Sequence, residues 1–512
     1  MNLPSSLARG VVAGALIACV VVAARALADS APANSNARTI LAVPFAPAQE
    51  AADWMGVAIA ESLTDAVVQA NQDNFLTLKQ LDAVLRRRAL RLNDPKVASS
   101  ALELGRSVGA TDLLTGTVAV KGDQVKIDAK WIRASDGSEV AHAHVEGAKA
   151  NLPTLAFDLG EQLLHANSKL GPMTKSARAL ELVAECAVDL DRQSVGPRAK
   201  SMLSGDKLKS SEEICQAALA ADHALGLAHA YEAILLSLRD RNADARKEAA
   251  LAQTFHRYVP MGALADSFAA RRAGDLAAAR AALETAAREH PGFLHAIGYL
   301  AEEQEDLNQN QAALDWWTQY LARAPGHPFA TARAGRALAR LGKPADGIAL
   351  SKKALERSPN DPELLIELAS RYIDANQLVD AEKILLDVEK VTPHRPLAWL
   401  RLGYLYQREG KVQPAREQFM ASIKQGVAED EARVRAVAWA DLAQLEGQEN
   451  QYDAAVEALK GAAKEGLHKL PCDAPELVKY KGKPQFDRVC KDAAGAPGGL
   501  VDDEDVVGIN VQ

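Results

Sequence analysis

Three side chains on one predicted strand could bind a metal ion. His142, His144 and Glu146 are spaced two residues apart, so they share one face of a strand, and imidazole with carboxylate is a ligand set that zinc accepts. The residues between them are small or apolar and predict the buried face. The His and Glu side chains are therefore expected to point to water, and we predict neither a metal site nor a cofactor.

The cysteines predict two disulfides in an oxidising compartment. Of the five cysteines, Cys19 falls in an N-terminal apolar segment, which leaves four in the body of the protein. Cys186 and Cys215 lie on the two helices of one predicted helical hairpin. Cys472 and Cys490 flank a predicted C-terminal cap. The alternative interpretation is four small buried apolar side chains.

The motifs of the common enzyme classes are missing from the sequence. We find no Walker loop, dinucleotide-binding glycine fingerprint, Gly-x-Ser-x-Gly elbow or HExxH motif, and the 11 histidines are scattered. The sequence thus predicts a protein that is not an enzyme. A formal net charge of -8 without a long Lys/Arg run predicts no nucleic-acid partner, since phosphates require a basic surface.

Residues 1–28 have the pattern of a signal peptide. Arg9 precedes an apolar run over residues 11–24, and the small-residue pattern Ala-Leu-Ala ends at Ala28. Export to the periplasm is therefore expected. The run ending at Cys19 also fits a lipobox, so a lipoprotein anchored through Cys19 is the alternative. An uncleaved anchor is a third interpretation, and we expect contact with a membrane only through this segment.

The rest of the front part predicts an α/β domain over residues 39–170. The apolar run over residues 40–45 is typical of a buried strand. Three further strands over residues 112–146 are separated by Gly122-Asp123 and Asp136-Gly137, which are hairpin signals. Amphipathic helices are expected between the first strand and this meander, and a closing helix after it.

Four stretches of this segment form a recognisable pattern: 41–45 (LAVPF), 56–64 (GVAIAESLT), 104–112 (LGRSVGATD) and 116–118 (GTV). In these residues the segment resembles the N-terminal α/β domain of the TolB family and of exported bacterial tetratricopeptide proteins. The resemblance implies a fold and no reaction, because these are structural positions. The β-propeller of TolB is missing, so the partners of TolB are not implied.

A repeat of 34 residues, the tetratricopeptide period, fills the rest of the chain. The turn position carries only Gly or Asn, residues that accept the left-handed conformation at a helix end: Gly274, Asn308, Gly342, Asn376 and Gly410. We predict a degenerate helical repeat over residues 175–225, a superhelical tetratricopeptide solenoid over 226–466 and a C-terminal cap over 467–491. Residues 492–512 are acidic and are expected to be disordered.

The first helix of each repeat is expected to line the groove that binds a partner. The candidate residues at these positions are Phe268, Arg271, Arg272, Glu302, Glu305, Asp306, Arg336, Arg340, Asp374, Tyr404 and Arg408. Their charge alternates in sign from repeat to repeat, which favours a protein or peptide ligand of mixed charge; an ordinary solvated helix face is the alternative. The sequence thus predicts a non-enzymatic envelope scaffold. A ligand-sensing α/β domain coupled to the repeats, or an envelope enzyme with an unrecognised site, are the alternatives.

Overall fold

A computed structural model describes ten stretches of the chain: residues 38–49, 51–70, 73–87, 90–165, 171–193, 205–255, 259–391, 395–425, 432–467 and 470–494. An N-terminal mixed sheet with helices is followed by a long run of paired helices. The predicted fold class is therefore confirmed. The predicted signal peptide with Cys19 and the tail after residue 494 lie outside the described residues.

The described residues of the front part form one six-stranded sheet. Its strands are β1 (Thr39–Ala42), β2 (Ala46–Gln49), β3 (Asn74–Leu76), β4 (Asp112–Lys121), β5 (Gln124–Arg133) and β6 (Glu139–Ala148). The order is β3-β1-β4-β5-β6, with β2 also paired to β4. β1 runs parallel to β3 and β4, whereas β4, β5 and β6 form the antiparallel meander that the hairpin signals predict.

Strand β2 is missing from the sequence-based prediction. Its residues, APAQ, include Pro47 and carry no strand propensity. The strand forms because β1 continues past Pro44 alongside β4, so residues 46–49 can pair with residues 117–120. Tertiary pairing here overrides local preference.

Helices cover the sheet and connect its strands. They are α1 (Asp53–Ala70), α2 (Leu78–Arg87), α3 (Pro95–Ser99), α4 (Ala101–Ser107) and α5 (Leu152–Leu164). Helix α1 is buried over residues 55–67, because it lies between the sheet and the helices that follow. The polar side chains Glu61, Ser62, Thr64 and Asp65 are buried with it.

The helical part consists of antiparallel pairs. The first pair, α6 (Ala177–Gln193) and α7 (Gly205–Ala221), corresponds to the degenerate repeat. The first helices of the following repeats are α8 (Gly226–Leu238), α10 (Val259–Arg272), α12 (Leu294–Asp306), α14 (Pro328–Arg340), α16 (Pro362–Asp374), α18 (Pro396–Arg408) and α20 (Ala432–Gln448). The second helices are α9 (Asn242–Thr254), α11 (Leu276–Glu289), α13 (Asn310–Arg323), α15 (Pro344–Arg357), α17 (Leu378–Val391), α19 (Val412–Gln425) and α21 (Tyr452–Lys464). A short 3-10 turn, Val478–Tyr480, and α22 (Pro484–Ala494) follow.

The predicted turn residues adopt the conformation that the repeat requires. Gly274, Asn308, Gly342, Asn376 and Gly410 have φ values of 80°, 54°, 78°, 59° and 72°. This left-handed conformation costs Gly nothing and costs Asn little, whereas a β-branched residue would be strained there. The prediction of a helix stop at each of these positions is confirmed.

The α/β domain and the first repeats share one hydrophobic core. The edge strand β3 pairs with the loop before α12: the Phe75 amide donates to the Gly292 carbonyl at 3.1 Å, and Phe75 stacks on Phe293 with ring centroids 5.5 Å apart. Gly292 is required there, because a Cβ would lie 2.7 Å from the Asp73 carbonyl oxygen. The domain boundary near residue 170 stays a prediction, but the two parts are packed together rather than merely tethered.

Among the described residues, no helix combines the length and the apolar character that a bilayer crossing needs.

Candidate functional site

Charged side chains connect the first helices of three successive repeats. This ion ladder consists of Glu302, Glu305, Arg333, Arg336, Glu367 and Arg371. The repeat period positions them, because residues 34 apart occupy equivalent places on adjacent first helices. Glu302 is thus equivalent to Arg336, and Arg333 to Glu367. Opposite charges therefore face each other across each helix pair.

The ladder is held by close contacts. From α14, Arg333 bridges Glu302 at 3.1 Å and Glu305 at 3.0 Å, the distances joining guanidinium nitrogen to carboxylate oxygen. Arg336 contacts Glu305 at 3.4 Å and also pairs with Glu367 on α16, which Arg371 bonds at 3.2 Å. Glu305 and Glu367 therefore each contact two guanidinium groups.

The charged side chains of the ladder are buried, and this burial shifts their pKa values. The side chains of Arg333 and Arg336 are only 2% exposed. Burial alone would raise the pKa of Glu367, but the neighbouring guanidinium groups of Arg336 and Arg371 lower it to about 2. Burial lowers the pKa of Arg336 to about 9, so that side chain stays charged at neutral pH. Glu367 and Arg336 are thus both charged at neutral pH.

Three predicted groove arginines join neighbouring repeats at the ends of their first helices. Arg272 donates to Asp240 at 3.0 Å, Arg340 to the Glu305 carbonyl at 3.5 Å and Arg408 to the Ile373 carbonyl at 2.9 Å. A cation at a helix C-terminus satisfies carbonyls that lack partners inside the helix and interacts favourably with the helix dipole. Each of these arginines thus bonds its own repeat to the repeat before it.

The remaining predicted groove residues lie at the two ends of the ladder. Phe268 packs edge-on against Tyr299 with ring centroids 5.8 Å apart, next to the half-buried Arg271. At the other end, Tyr404 is 41% exposed, and Asp374 bonds Arg371 at 2.8 Å from a partly exposed position. The side chain of Asp306 lies outside the described part of the structure.

Sequence reasoning missed half of the ladder. Arg333, Glu367 and Arg371 were not among the predicted groove residues, nor was Trp317, whose indole N–H donates to Glu305 at 2.6 Å. A usable signal existed: Arg333, Glu367 and Arg401 alternate in charge at intervals of 34 residues. The alternation that suggests a partner of mixed charge is used in the ladder to pair the repeats with each other.

The candidate redox and metal residues lie apart from the ladder. The structure joins Cys186 to Cys215 with Cα atoms 5.4 Å apart, and Cys472 to Cys490 at 6.2 Å. His144 points to the polar face of the sheet, where its Nδ1 lies 2.8 Å from Asp128. Across the described residues, no group of three or more His, Cys, Asp or Glu side chains is arranged to hold a metal ion.

Comparison with known proteins identifies the repeat. A family model described as a tetratricopeptide repeat matches residues 338–400. No curated protein matches the chain at a significant level. Human IFIT1 in its dimer with PPP-AAAA is 16% identical, over 60% of this chain and 73% of that chain, with a TM-score of 0.36. A tetratricopeptide protein from Parabacteroides merdae is 15% identical, over 62% and 99%, with a TM-score of 0.36.

PilW, a type IV pilus biogenesis factor, is 20% identical, over 43% of this chain and 97% of that chain, with a TM-score of 0.34. The chain thus carries tetratricopeptide repeats, which point to a protein-interaction scaffold.

The prediction of no nucleic-acid partner is contradicted by these comparisons. The similar human IFIT1 structures contain PPP-AAAA and m7Gppp-AAAA. The physical reason lies in what a net charge measures. The value of -8 is a sum over the whole chain, whereas a ligand meets only the local potential of the surface it touches. An acidic sum therefore does not exclude a nucleic acid from a repeat protein.

Proposed function

We propose that the protein is a non-enzymatic scaffold of the bacterial cell envelope that binds a protein or peptide of mixed charge along the first helices of its repeats. The exposed end of the ladder carries this proposal. There, Tyr404 is 41% exposed and lies one turn from Arg408 on α18, while Asp374 ends the preceding first helix. Tyr and Arg are the side chains that most often dominate the binding energy of an interface.

The ladder supports this proposal by fixing the surface in advance. Its buried ion pairs and the three inter-repeat arginines hold α12, α14, α16 and α18 in one arrangement. A partner that meets a preorganised surface does not bear the cost of ordering it. The ladder charges are already paired, so we assign recognition to the exposed residues and a structural role to Glu302, Glu305 and Arg336.

The proposed location is the periplasm, with a lipoprotein anchored through Cys19 as the alternative. The signal-peptide pattern of residues 1–28 supports export, and the two cysteine pairs suit an oxidising compartment. The resemblance of residues 39–170 to the N-terminal domain of the TolB family fits such a protein.

Site-specific photo-crosslinking tests the proposed surface. A benzoylphenylalanine at position 404 should give a discrete adduct with one envelope protein in living cells, and Asp374→Asn, which leaves the bond from Arg408 to the Ile373 carbonyl in place, should reduce that adduct severalfold. Position 379 is the matched control, because Val379 is 79% exposed on the second helix α17. Equal adducts at 404 and 379, or no adduct at 404, would contradict the proposal.

A further inference from the structure

A small cavity separates the α/β domain from the first repeats. Its volume is about 40 Å³, which is large enough for a water molecule but too small for a metabolite. The charged and titratable side chains in its wall are Glu61 and Asp65 on α1, Lys79 on α2 and Tyr231 on α8. Helix α10 contributes Pro260 and Met261, which do not titrate.

Glu61 is the group in this wall that links the two parts directly. Its side chain is buried in α1, and the Tyr231 hydroxyl of α8 donates a hydrogen bond to its Oε1. Asp65, one helical turn away, adds a second carboxylate and accepts from Gln69 at 2.6 Å. Among the described residues whose interactions shift the pKa of Glu61, Tyr231 and Asp65, none is a Lys, Arg or His. A carboxyl in such surroundings is poorly suited to carry a charge.

We propose that Glu61 is a proton-operated latch between the two domains: the protonated carboxyl keeps the α/β domain docked on the first repeats, and its ionisation loosens the docking. This device is independent of partner binding along the ladder. Ionisation of Glu61 weakens the docking that buries Phe75 of the α/β domain against Phe293 of the repeats.

The direction of the effect follows from the titration of Glu61. Burial raises its pKa from 4.5 to about 7; the Tyr231 hydrogen bond opposes this rise and the Asp65 charge adds to it. The docked state therefore binds a proton that the undocked state releases. Docking is strongest below pH 4.5, weakens as the pH rises, and changes no further once the pH exceeds about 7.

Two buried histidines of the interface titrate at a lower pH than Glu61. Burial lowers the pKa of His327 to about 4 and that of His295, near Lys79, to about 3. His327 is neutral above pH 5, donates to the Val108 carbonyl of the α/β domain and accepts from the Ala330 amide at 3.2 Å. Neither histidine changes charge between pH 5 and 8. His229 on α8 is different, because burial is outweighed by its contact with Glu248, which raises its pKa, so the assignment to Glu61 rests on the variants below.

Hydrogen exchange of the β3 segment measures docking, because the Phe75 amide is bonded across the interface to Gly292. In the full chain, protection of β3 should fall on the order of tenfold to a hundredfold from pH 5 to pH 8, the effect of a pKa rise of this size. Each value is divided by the protection of the β4–β5 segment, which removes the intrinsic pH dependence of exchange. Protection independent of pH would overturn the proposal.

Two variants assign the effect to the latch. Glu61→Gln keeps an acceptor for Tyr231 and cannot ionise, so β3 should stay protected to pH 8. Tyr231→Phe removes the donor that lowers the Glu61 pKa, so the midpoint of the pH dependence should move upward. Asp441→Asn is the matched control, since burial also raises the pKa of Asp441 to about 7, but on α20 in the C-terminal repeats. A pH dependence that persists in Glu61→Gln, or vanishes in Asp441→Asn, refutes the latch.

Discussion

The ion ladder and the domain interface both bury carboxylates, yet they do so in opposite protonation states. In the ladder, guanidinium groups surround Glu367 and hold its pKa at about 2. At the interface, burial raises the pKa of Glu61 to about 7; the Tyr231 hydroxyl opposes this rise, and the Asp65 carboxylate adds to it. The partner, and not the burial, therefore decides whether a buried acid is charged.

The two regions consequently respond to pH in opposite directions. A depressed pKa contributes stability that is present above pH 4.5 and is lost as the pH falls toward 2, which is the case of Glu367. A raised pKa contributes stability that is lost as the pH rises through 7, which is the case of Glu61. Between pH 5 and 8 the ladder stays intact while the interface titrates.

The largest predicted effect comes from breaking the ladder. Arg336→Met removes the cation that Glu305 and Glu367 share, and it leaves the buried ladder with three carboxylates and two guanidinium groups. We expect the free energy of unfolding of the repeats to fall by about 3 to 5 kcal/mol. Denaturant unfolding followed by far-UV circular dichroism measures this loss.

The control for this variant is an arginine of similar reach on the surface. Arg357 is exposed and donates to the Pro325 carbonyl at 3.0 Å, so Arg357→Met should cost less than about 1.5 kcal/mol. Equal losses for the two variants would show that the buried ion pairs of Arg336 stabilise the fold no more than one exposed hydrogen bond does. Arg336 is in either case unsuitable for probing partner binding, because its loss disturbs the fold.

The second effect addresses the interface. Phe293 is fully buried against Phe75, and Phe293→Ala should cost about 3 kcal/mol through lost burial and the cavity it leaves. Because both parts share this core, we expect the parent to unfold in one calorimetric transition at pH 6 and the variant to unfold in two. A parent that already melts in two separate transitions contradicts a shared core.

Periodicity made most of the fold predictable. The 34-residue spacing of Gly and Asn identified the helix ends, and two dipeptides identified the hairpins of the meander. The docking of β3 on the loop at Gly292 was not predictable, because it joins residues more than 200 positions apart through a short strand and one close backbone contact. Local patterns carry no information about such a pairing.

For the site, the sequence identified positions but not partners. Charge alternation from repeat to repeat favoured a partner of mixed charge, but the pattern does not distinguish a charge that awaits a ligand from one that bonds the next helix. That distinction depends on distance and burial: Arg336 is 2% exposed, whereas Asp374 is 42% exposed. The raised pKa of Glu61 was equally hidden, since burial raises it, and that burial involves helices distant in sequence, such as α8 with Tyr231, 170 residues away.

The smallest predicted loss of stability is expected at the exposed end of the ladder, and it is compared with the loss at a buried carboxylate. Arg371 bonds the exposed Asp374 and the buried Glu367, so Asp374→Asn removes a solvent-screened pair while Arg371 keeps its second partner. We expect a loss below about 1 kcal/mol, which 1 M salt should abolish because the Debye length there is about 3 Å. Glu367→Gln is the matched variant at the buried carboxylate, and its loss should exceed about 3 kcal/mol and persist in salt. Comparable losses of stability at the two positions would mean that burial does not determine how much an ion pair of the ladder contributes. A small loss for Asp374→Asn would make Asp374 a suitable residue for testing partner binding without disturbing the fold.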